Sequence, residues 1–209
     1  FMKGNLGFAT TLLDTLKAHK NACPVMLSSS VQASLTGRFG GSEYGRSKKA
    51  GEELFFQYGH EVGARMLIYR FPNLFGKWCR PNYNSAIATF CNNIANDLPI
   101  QVNDRNVEME LLYIDDLVDE MISALVGKEH RCEFEGLEVI PAVEGHYCYC
   151  PVTHKTTLGE IVDIISECAA SVSPAGGKAQ TALALPQGSL EYKLMTTYLS
   201  YLPKEKVII

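Results

Sequence analysis

The chain has 209 residues, of which 46% are hydrophobic and 20% charged, a composition typical of a globular protein with a buried core. Its formal net charge of −4 and its pI near 5.8 argue against nucleic acid or an anionic membrane as a partner. No apolar run approaches the roughly 20 residues that span a bilayer, and the seven cysteines lack the regular spacing of a disulfide framework, which favours a reducing cytoplasm.

The first third of the chain alternates helical and strand patterns. Apolar residues at helical spacing predict a helix over 2–19, and a short apolar run predicts a strand over 24–28. A loop rich in serine and glycine leads to a second helix over about 44–60 and then to a buried strand over 65–70. This alternation predicts an α/β fold with a parallel sheet.

The rest of the chain carries shorter elements, and Asp115 is the predicted N-cap of one of its helices. The pattern predicts helices over 84–97, 116–127, 157–170 and 189–202. It predicts strand or hairpin segments over 99–102, 109–113 and 134–151, and a loop rich in Ser, Pro, Gly and Ala over 171–188.

Tyr44 and Lys48 form the most informative pair in the sequence. Residues four apart share one face of a helix, so the ammonium of Lys48 is expected beside the Tyr44 ring. A neighbouring cation lowers the pKa of a phenol, which then exchanges a proton with a substrate oxygen near neutral pH. A serine run at 28–30 ends the strand upstream. Together these features have the layout of an active site.

The order of four residues along the chain, Asn5, Ser30, Tyr44 and Lys48, resembles the tetrad of the extended short-chain dehydrogenase/reductase superfamily, whose members act on nucleotide sugars. Two further segments resemble motifs of the same superfamily. They are YRFPNLFG at 69–76, similar to the strand-end R-x-x-N-x-(Y/F/V)-G motif, and YIDDLV at 113–118, similar to (Y/H)-V-x-D-(L/V).

Three contiguous segments narrow the resemblance. They are NLFGKWC at 73–79, PNYNS at 81–85 and QVNDR at 101–105, and they resemble the reductase part of bifunctional capsule and O-antigen enzymes. Those enzymes reduce a UDP-linked 4-keto-6-deoxy-N-acetyl sugar. The resemblance implies a cytoplasmic enzyme with a Rossmann-like parallel sheet, helices on both faces of it, and a small substrate-binding lobe.

The resemblance also implies a role for each member of the tetrad. Tyr44 would protonate the developing alkoxide, Ser30 would hydrogen-bond it, and Lys48 would bind the nicotinamide ribose of NADP(H) or NAD(H) and lower the pKa of Tyr44. Asn5 would hold a water molecule that links Lys48 to solvent. The serines are also suited to capping loop amides, and Asn5 to capping a helix. The residues expected to contact the cofactor are Tyr44, Lys48, Phe71 and Asn73.

Asn73 and Asn84 are the amides expected to contact the sugar nucleotide, because an amide both donates and accepts hydrogen bonds. Turn formation beside the neighbouring prolines is the competing interpretation. A diphosphate also needs cations. Many nucleotide-sugar enzymes place an arginine just before the Y-I-x-x-D segment, where this chain has Glu-Met-Glu at 108–110. The cations nearest the motifs are Lys77, Arg80 and Arg105, of which the last is a candidate substitute.

The phosphate-binding turn of a Rossmann fold is the motif that the sequence does not contain. No G-x-x-G-x-x-G follows an N-terminal strand, and the glycine-rich residues 37–41 lie between Ser30 and Tyr44, as an active-site loop would. We therefore expect an N-terminally truncated Rossmann fold that binds dinucleotide weakly. The sequence then lacks the turn and the ribose-contacting residue that distinguish NADP from NAD.

The resemblance divides the chain into two domains. Residues 1–72 are expected to form the second half of the nucleotide-binding fold with the Ser/Tyr/Lys site. Residues 73–209 are expected to form mainly the substrate-binding lobe, with returning Rossmann elements. In the bifunctional enzymes a metal-binding cupin domain would follow this point.

Two rival functions remain open. The first is a nucleotide-sugar 4-epimerase or 4,6-dehydratase with tightly held NAD, although a dehydratase usually has Asp-Glu directly after the active-site Ser/Thr and this chain has Val31-Gln32 there. The second is a non-catalytic scaffold, which the missing glycine-rich turn favours. The complete Ser30, Tyr44 and Lys48 set argues against a scaffold.

Self-association is expected through the helices over 2–19 and 44–60, which in the resembling enzymes pair across a two-fold axis. Both helices carry more apolar width than one sheet face requires, including Phe8 in the first and residues 54–56 in the second. A UDP-sugar substrate and a second copy of the chain are thus the expected partners.

His146, Cys148 and Cys150 alternate along one predicted strand and so would project from one face of it. Their spacing is tighter than the two to four residues that usually separate the cysteines of structural zinc sites. We interpret them as strand-packing residues and predict no metal site.

Overall fold

The computed structural model describes residues 2–172 and 185–203, with side chains from residue 4 onward. The chain divides by internal contacts into two compact units. The first unit comprises Phe1–Pro72 and Asp119–Pro151, and the second comprises Asn73–Val118 and Val152–Ile209.

Helices and strands alternate along the described chain, with two short 3-10 turns, Val31–Ser34 and Gly37–Phe39, before the second helix. In chain order the elements are α1 (Met2–Ala18), β1 (Val25–Ser30), α2 (Glu43–Val62), β2 (Met66–Phe71), β3 (Asn73–Phe75), α3 (Ala86–Ala95), β4 (Glu108–Tyr113), α4 (Ile114–Leu125), β5 (Arg131–Glu135), β6 (Glu138–Pro141), β7 (Tyr147–Cys148), β8 (His154–Thr157), α5 (Leu158–Val172) and α6 (Leu190–Leu199).

The sheet of the first unit has the strand order β1-β2-β7-β5-β6. β1 and β2 are parallel over their whole length, from Val25 opposite Met66 to Ser30 opposite Phe71. β7 is parallel to β2, whereas β5 pairs antiparallel with both β6 and β7. The sheet is therefore mixed. β5 and β6 form a hairpin, and its tight turn contains Gly136 at a φ of +61°.

The core of the first unit lies between α1, α2 and the parallel strands. Leu13 of α1 packs with Phe55 and Tyr58 of α2 and with Ile68 of β2. The apolar stripe that predicts α1 thus faces α2 and the sheet in the core of this unit.

The second unit has its own three-stranded sheet of order β3-β4-β8, in which β3 and β4 are parallel and β8 is antiparallel to β4. Its core joins this sheet to α3, α5 and α6 through residues such as Phe90, Leu111, Ile165 and Leu194. A separate buried core in each unit follows from the two sheets.

Some predicted boundaries differ from the structure. β1 extends through Ser30 because its pairing with β2 continues to that residue. α4 begins at Ile114, so Asp115 lies in its first turn and is not its N-cap. Residues 99–102 form no strand; Ile100 and Val102 instead pack as an irregular segment on the core of the second unit.

The loop predicted over 171–188 begins later than expected, because α5 extends to Val172. Residues 173–184 of that loop lie outside the described residues. Within the described part of the chain, no helix combines the length and the apolar character needed to cross a membrane.

Candidate active site

Ser30 lies where β1 ends and the first 3-10 turn begins. Its Oγ accepts a hydrogen bond of 3.2 Å from the backbone N–H of Gln32. The capping role considered for the serines is therefore real for Ser30. A hydroxyl also has one O–H donor, so the same side chain still has a donor to offer to a substrate oxygen.

The start of α2 is fastened to the turn that follows Ser30. Ser42 is the N-cap of α2, and its Oγ accepts from the Gly45 N–H at 2.8 Å and donates to Oε1 of Gln32 at 2.8 Å. A Cβ atom on Gly45 would lie 2.2 Å from the carbonyl oxygen of Gln32. Only glycine permits this approach, which brings the helical turn carrying Tyr44 against the turn after Ser30.

Tyr44 and Lys48 share one face of α2, as their spacing predicts. The Nζ of Lys48 lies 5.5 Å from the centroid of the Tyr44 ring and donates a 3.0 Å hydrogen bond to the carbonyl oxygen of Ser28. The ammonium is thus held between the aromatic face and the end of β1.

The protonation preferences of this pair differ from the expectation. Burial raises the pKa of Tyr44 and lowers the pKa of Lys48, and the nearby carboxylate of Glu52 partly opposes the second effect. The predicted lowering of the Tyr44 pKa is therefore wrong for this structure, because desolvation of the phenolate dominates. A phenol with a raised pKa stays protonated at neutral pH, which is the form that a proton donor needs.

Asn5 lies in α1 and contacts α2. Its Nδ2 donates to Oγ of Ser47 at 2.9 Å, and that hydroxyl donates to the carbonyl oxygen of Tyr44 at 2.8 Å. The amide does not cap the helix; it ties α1 to the turn of α2 that carries Tyr44.

A buried carboxylate, Glu52, lies one helical turn after Lys48 and was missed by the sequence analysis. The guanidinium of Arg70 at the end of β2 donates to both of its oxygens, at 2.9 and 2.6 Å, and the Oγ of Ser29 donates to it as well. The Glu52 and Arg70 side chains are only 2% and 9% exposed. The Tyr147 hydroxyl accepts from Arg70 at 2.8 Å. This network fixes α2 to the two strand ends that lie below the candidate site.

Phe71 is buried at the end of β2, where its ring stacks on that of Tyr69 with centroids 5.3 Å apart. Its side chain belongs to the core, and only its main chain is left for contact with a cofactor.

The candidate amides of the second unit lie on its surface. Asn73 at the start of β3 donates from Nδ2 to the carbonyl oxygen of Glu110 at 3.2 Å. Asn84 is exposed and directly precedes Ser85, the N-cap of α3. Neither amide is buried in the core, and the side-chain oxygen of Asn73, Oδ1, remains available as an acceptor.

The three candidate cations differ in their partners. Lys77 donates to Asp115 at 2.9 Å, and Arg105 donates to Asp163 at 2.7 Å. The guanidinium of Arg80 instead lies 5.5 Å from the centroid of the Tyr83 ring. Within the described chain Arg80 forms no ion pair. Of the three candidate cations, it is therefore the one whose charge is not balanced by a carboxylate.

A second buried charged cluster lies in the second unit. Lys193 of α6, whose side chain is 3% exposed, donates to Asp116 at 2.7 Å and contacts Nε2 of His154 at 2.9 Å. Burial and the charge of Lys193 lower the pKa of His154. Asp116 therefore balances a buried ammonium as well as lying in the first turn of α4.

The predicted strand-packing residues are found at two levels of burial. Cys148 and Cys150 are buried, whereas His146 is exposed and contacts Glu133 at 2.6 Å. Across residues 2–172 and 185–203, no group of three His, Cys, Asp or Glu side chains is placed to hold a metal ion.

Comparison with protein families finds one matching description. The model of the NAD dependent epimerase/dehydratase family matches residues 1–133. Among curated proteins, the chain is 36% identical over 205 residues to the UDP-2-acetamido-2,6-beta-L-arabino-hexul-4-ose reductase of Pseudomonas aeruginosa, covering 98% of this chain and 49% of that protein.

Solved structures show the same likeness. The capsular polysaccharide assembling protein CapF of Staphylococcus aureus is 40% identical with a TM-score of 0.74, covering 95% of this chain and 48% of that one. A UDP-glucose 4-epimerase of Thermotoga maritima, 17% identical, has a TM-score of 0.70 over 96% of this chain and 70% of that one, a likeness of fold. The α/β Rossmann-like fold expected from the sequence is confirmed. The chain spans about half the length of the first two relatives.

Proposed function

The chain belongs to the NAD dependent epimerase/dehydratase family, and from this we propose that its full-length protein is an NAD(P)-dependent reductase. Its substrate would be a UDP-linked 4-keto-6-deoxy-N-acetyl sugar used in capsule or O-antigen synthesis. The observation that carries the proposal is Tyr44, kept protonated by burial and fixed with Lys48 on one helix face beside the turn after Ser30. The likeness to a sugar 4-keto reductase over nearly the whole chain supports the choice of substrate.

The proposed chemistry gives each residue one task. A nicotinamide cofactor held by Lys48 would supply the hydride for C4 of the sugar. Tyr44 donates its phenolic proton to the oxygen that becomes the 4-hydroxyl, and the Ser30 hydroxyl donates a hydrogen bond to that same oxygen. The charge of Lys48 stabilises the phenolate that is left, which regains its proton from solvent.

The residues present fit the ribose of such a cofactor. An ammonium has three donors, and Lys48 uses one of them on the Ser28 carbonyl. Two donors remain for ribose hydroxyls on the face that Lys48 shares with Tyr44. Further contacts would come from the main chain of Phe71 and the side chain of Asn73.

The sugar nucleotide would be held by groups of the second unit. Asn73 and Asn84 would contribute amides, and Arg80 is the best placed of the three cations because Lys77 and Arg105 already have carboxylate partners. The role expected for residues 73–209, mainly a substrate-binding lobe with returning Rossmann elements, remains part of this proposal, as does a cytoplasmic location; residues 119–151, which belong to the first unit, are the candidates for the returning elements.

An assay of nicotinamide oxidation tests the proposal. The full-length protein is given NADPH or NADH with the UDP-linked 4-keto-6-deoxy-N-acetyl sugar, and UDP-N-acetylglucosamine, which has a 4-hydroxyl, is the matched control. We expect loss of nicotinamide absorbance with the ketone alone. Interconversion of 4-hydroxyl epimers without net oxidation of added cofactor would favour a 4-epimerase, and no turnover of either sugar would favour a scaffold.

We also propose a homodimer through α1 and α2. Phe8 supports the dimer, since it is a large apolar residue left exposed on α1. Phe56 of α2 makes an edge contact with Tyr147, 5.3 Å between centroids, and so belongs to the packing of the unit. Sedimentation of Phe8→Glu is the test: we expect a monomer, and an unchanged dimer would exclude this surface.

A further inference from the structure

The loop between β3 and α3 displays two aromatic side chains. Trp78 is 81% exposed and Tyr83 is 71% exposed, which makes them the most exposed large apolar residues described in the second unit. Each ring offers a large apolar face. Leaving such a face in water is unfavourable, so a ligand that covers it gains free energy from its burial.

The exposure does not come from a loose loop. The backbone N–H of Trp78 donates to Oγ of Ser200 at 3.3 Å, and the Tyr201 hydroxyl donates to the carbonyl oxygen of Cys79. The backbone N–H of Asn82 donates to Oγ1 of Thr89 at 2.9 Å. α6, the residues that follow it, and α3 therefore hold the loop along its length.

The backbone of the loop is also strained at the position that displays the indole. Trp78 has a φ of +62°, in the left-handed region that bulky residues rarely adopt. Such a conformation persists only where surrounding contacts impose it. The contacts thus hold the loop backbone in the conformation that displays Trp78, and a ligand that binds a pre-ordered loop loses less conformational entropy than one that must order it.

A positive charge accompanies the aromatic rings. Arg80 lies two residues after Trp78, so their Cα atoms are at most about 7 Å apart. Its guanidinium lies over the Tyr83 ring at 5.5 Å from the centroid, and it has no carboxylate partner in the described part of the chain. The loop therefore combines an open aromatic face with a nearby unbalanced cation.

The position of the loop also fits a ligand site. It follows the carboxyl end of β3, which runs parallel to β4, and ligands of α/β proteins bind at the carboxyl ends of parallel strands. A ligand that matches the loop is aromatic at one end and anionic nearby. That description fits the nucleoside diphosphate part of a sugar nucleotide and not the hexose.

We propose that the loop of residues 77–83 binds the nucleoside diphosphate of the substrate, with the uracil stacked on Trp78 and the diphosphate paired with Arg80. This inference rests on the proposed function, because it takes the UDP-sugar as the ligand class. It assigns the base to Trp78, a residue that the sequence motifs alone do not single out.

Trp78 is the single tryptophan of the chain, so its fluorescence reports on this loop alone. In the full-length protein, the emission of Trp78 is obtained by subtracting the tryptophan emission of Trp78→Phe from that of the parent. We expect UDP to quench this signal saturably, at the same concentration at which calorimetry detects binding. Trp78→Ala should weaken UDP binding at least about tenfold, the usual effect of losing one base-stacking ring, while Trp78→Phe retains most of the affinity.

Two matched variants sharpen the assignment. Arg80→Gln should weaken UDP binding but leave binding of uncharged uridine unchanged, because only the former carries the diphosphate. Leu98→Ala removes another exposed apolar side chain of the same unit and should leave UDP affinity unchanged.

The outcomes separate this inference from the proposed function. UDP binding with no change in Trp78 emission, or with full affinity in Trp78→Ala, would overturn the stacking site and leave the reductase proposal standing. Emission that depends on protein concentration without UDP, together with loss of self-association in Trp78→Ala, would assign the loop to a contact between copies and overturn the site. Absence of binding by both UDP and the UDP-sugar would contradict the proposed function itself.

Discussion

The two units hold their candidate functional residues in different ways. In the first unit Tyr44 and Lys48 stand on a helix fixed from below by the buried Glu52–Arg70 pair and from the side by Gln32, Ser42 and Gly45. In the second unit the candidate amides and cations are exposed or carried on loops. Proton transfer needs a donor held within about 0.5 Å of its productive position, whereas contacts with a nucleotide can be made by exposed side chains at the surface of a lobe. The contrast is consistent with the proposal that the first unit carries the chemistry and the second unit contributes to recognition.

Breaking the buried Glu52–Arg70 ion pair of the first unit is expected to cause the largest loss of stability. Glu52→Gln would leave the Arg70 guanidinium buried without a counter-charge, and we expect the free energy of unfolding to fall by about 3–5 kcal/mol. Urea denaturation measures it. Glu61→Gln, at the exposed ion pair with Lys17, is the matched control and should leave the midpoint nearly unchanged. Equal midpoint shifts in the two variants would remove the special role of the buried pair.

The close approach at Gly45 offers the second effect. Gly45→Ala places a methyl group against a backbone carbonyl and forces α2 away from the turn after Ser30, so we expect a loss of about 1–3 kcal/mol in stability and a fall in kcat.

Gly51→Ala, in the same helix, is the control for that substitution. A Cβ atom there meets nothing within 4 Å, so we expect a slight gain in stability of about 0.5–1 kcal/mol. Full activity of Gly45→Ala would show that the approach of α2 to the turn does not position Tyr44.

The second unit offers the smallest effect, a pH dependence of stability. The pKa of His154 is lowered in the folded protein relative to about 6.5 unfolded. The unfolded state then binds more protons below that pH, so stability is full above about pH 6.5 and falls as the pH drops. His154→Gln should flatten the dependence of the denaturation midpoint between pH 7 and pH 5. An unchanged slope would mean that folding does not lower the pKa of His154.

The local features of the site were predictable from the sequence. The spacing of Tyr44 and Lys48 fixes a shared helix face wherever a helix forms, and the apolar stripes predict α1, β1, α2 and β2 to within a few residues. Such patterns depend only on neighbours in the chain, which is why they are legible without a fold.

The supporting contacts were not predictable in the same way. Arg70 lies 18 residues from Glu52, and Lys193 lies 77 residues from Asp116 and 39 from His154. Only the folded chain brings these partners together, and the direction of the Tyr44 pKa depends on burial that spacing cannot report. The strand predicted over 99–102 fails for a related reason, since its apolar residues pack on a core without a partner strand.

The role of Tyr44 is the central claim, and one pair of variants tests it most directly. Turnover of the UDP-linked 4-keto sugar is measured in the full-length protein for Tyr44→Phe and for Tyr149→Phe, which removes a hydroxyl elsewhere in the first unit, with circular dichroism to confirm that both fold. We predict that kcat falls at least ~10²-fold for Tyr44→Phe, the usual cost of losing a general acid, and stays unchanged for Tyr149→Phe. Turnover near that of the parent in Tyr44→Phe would contradict the account.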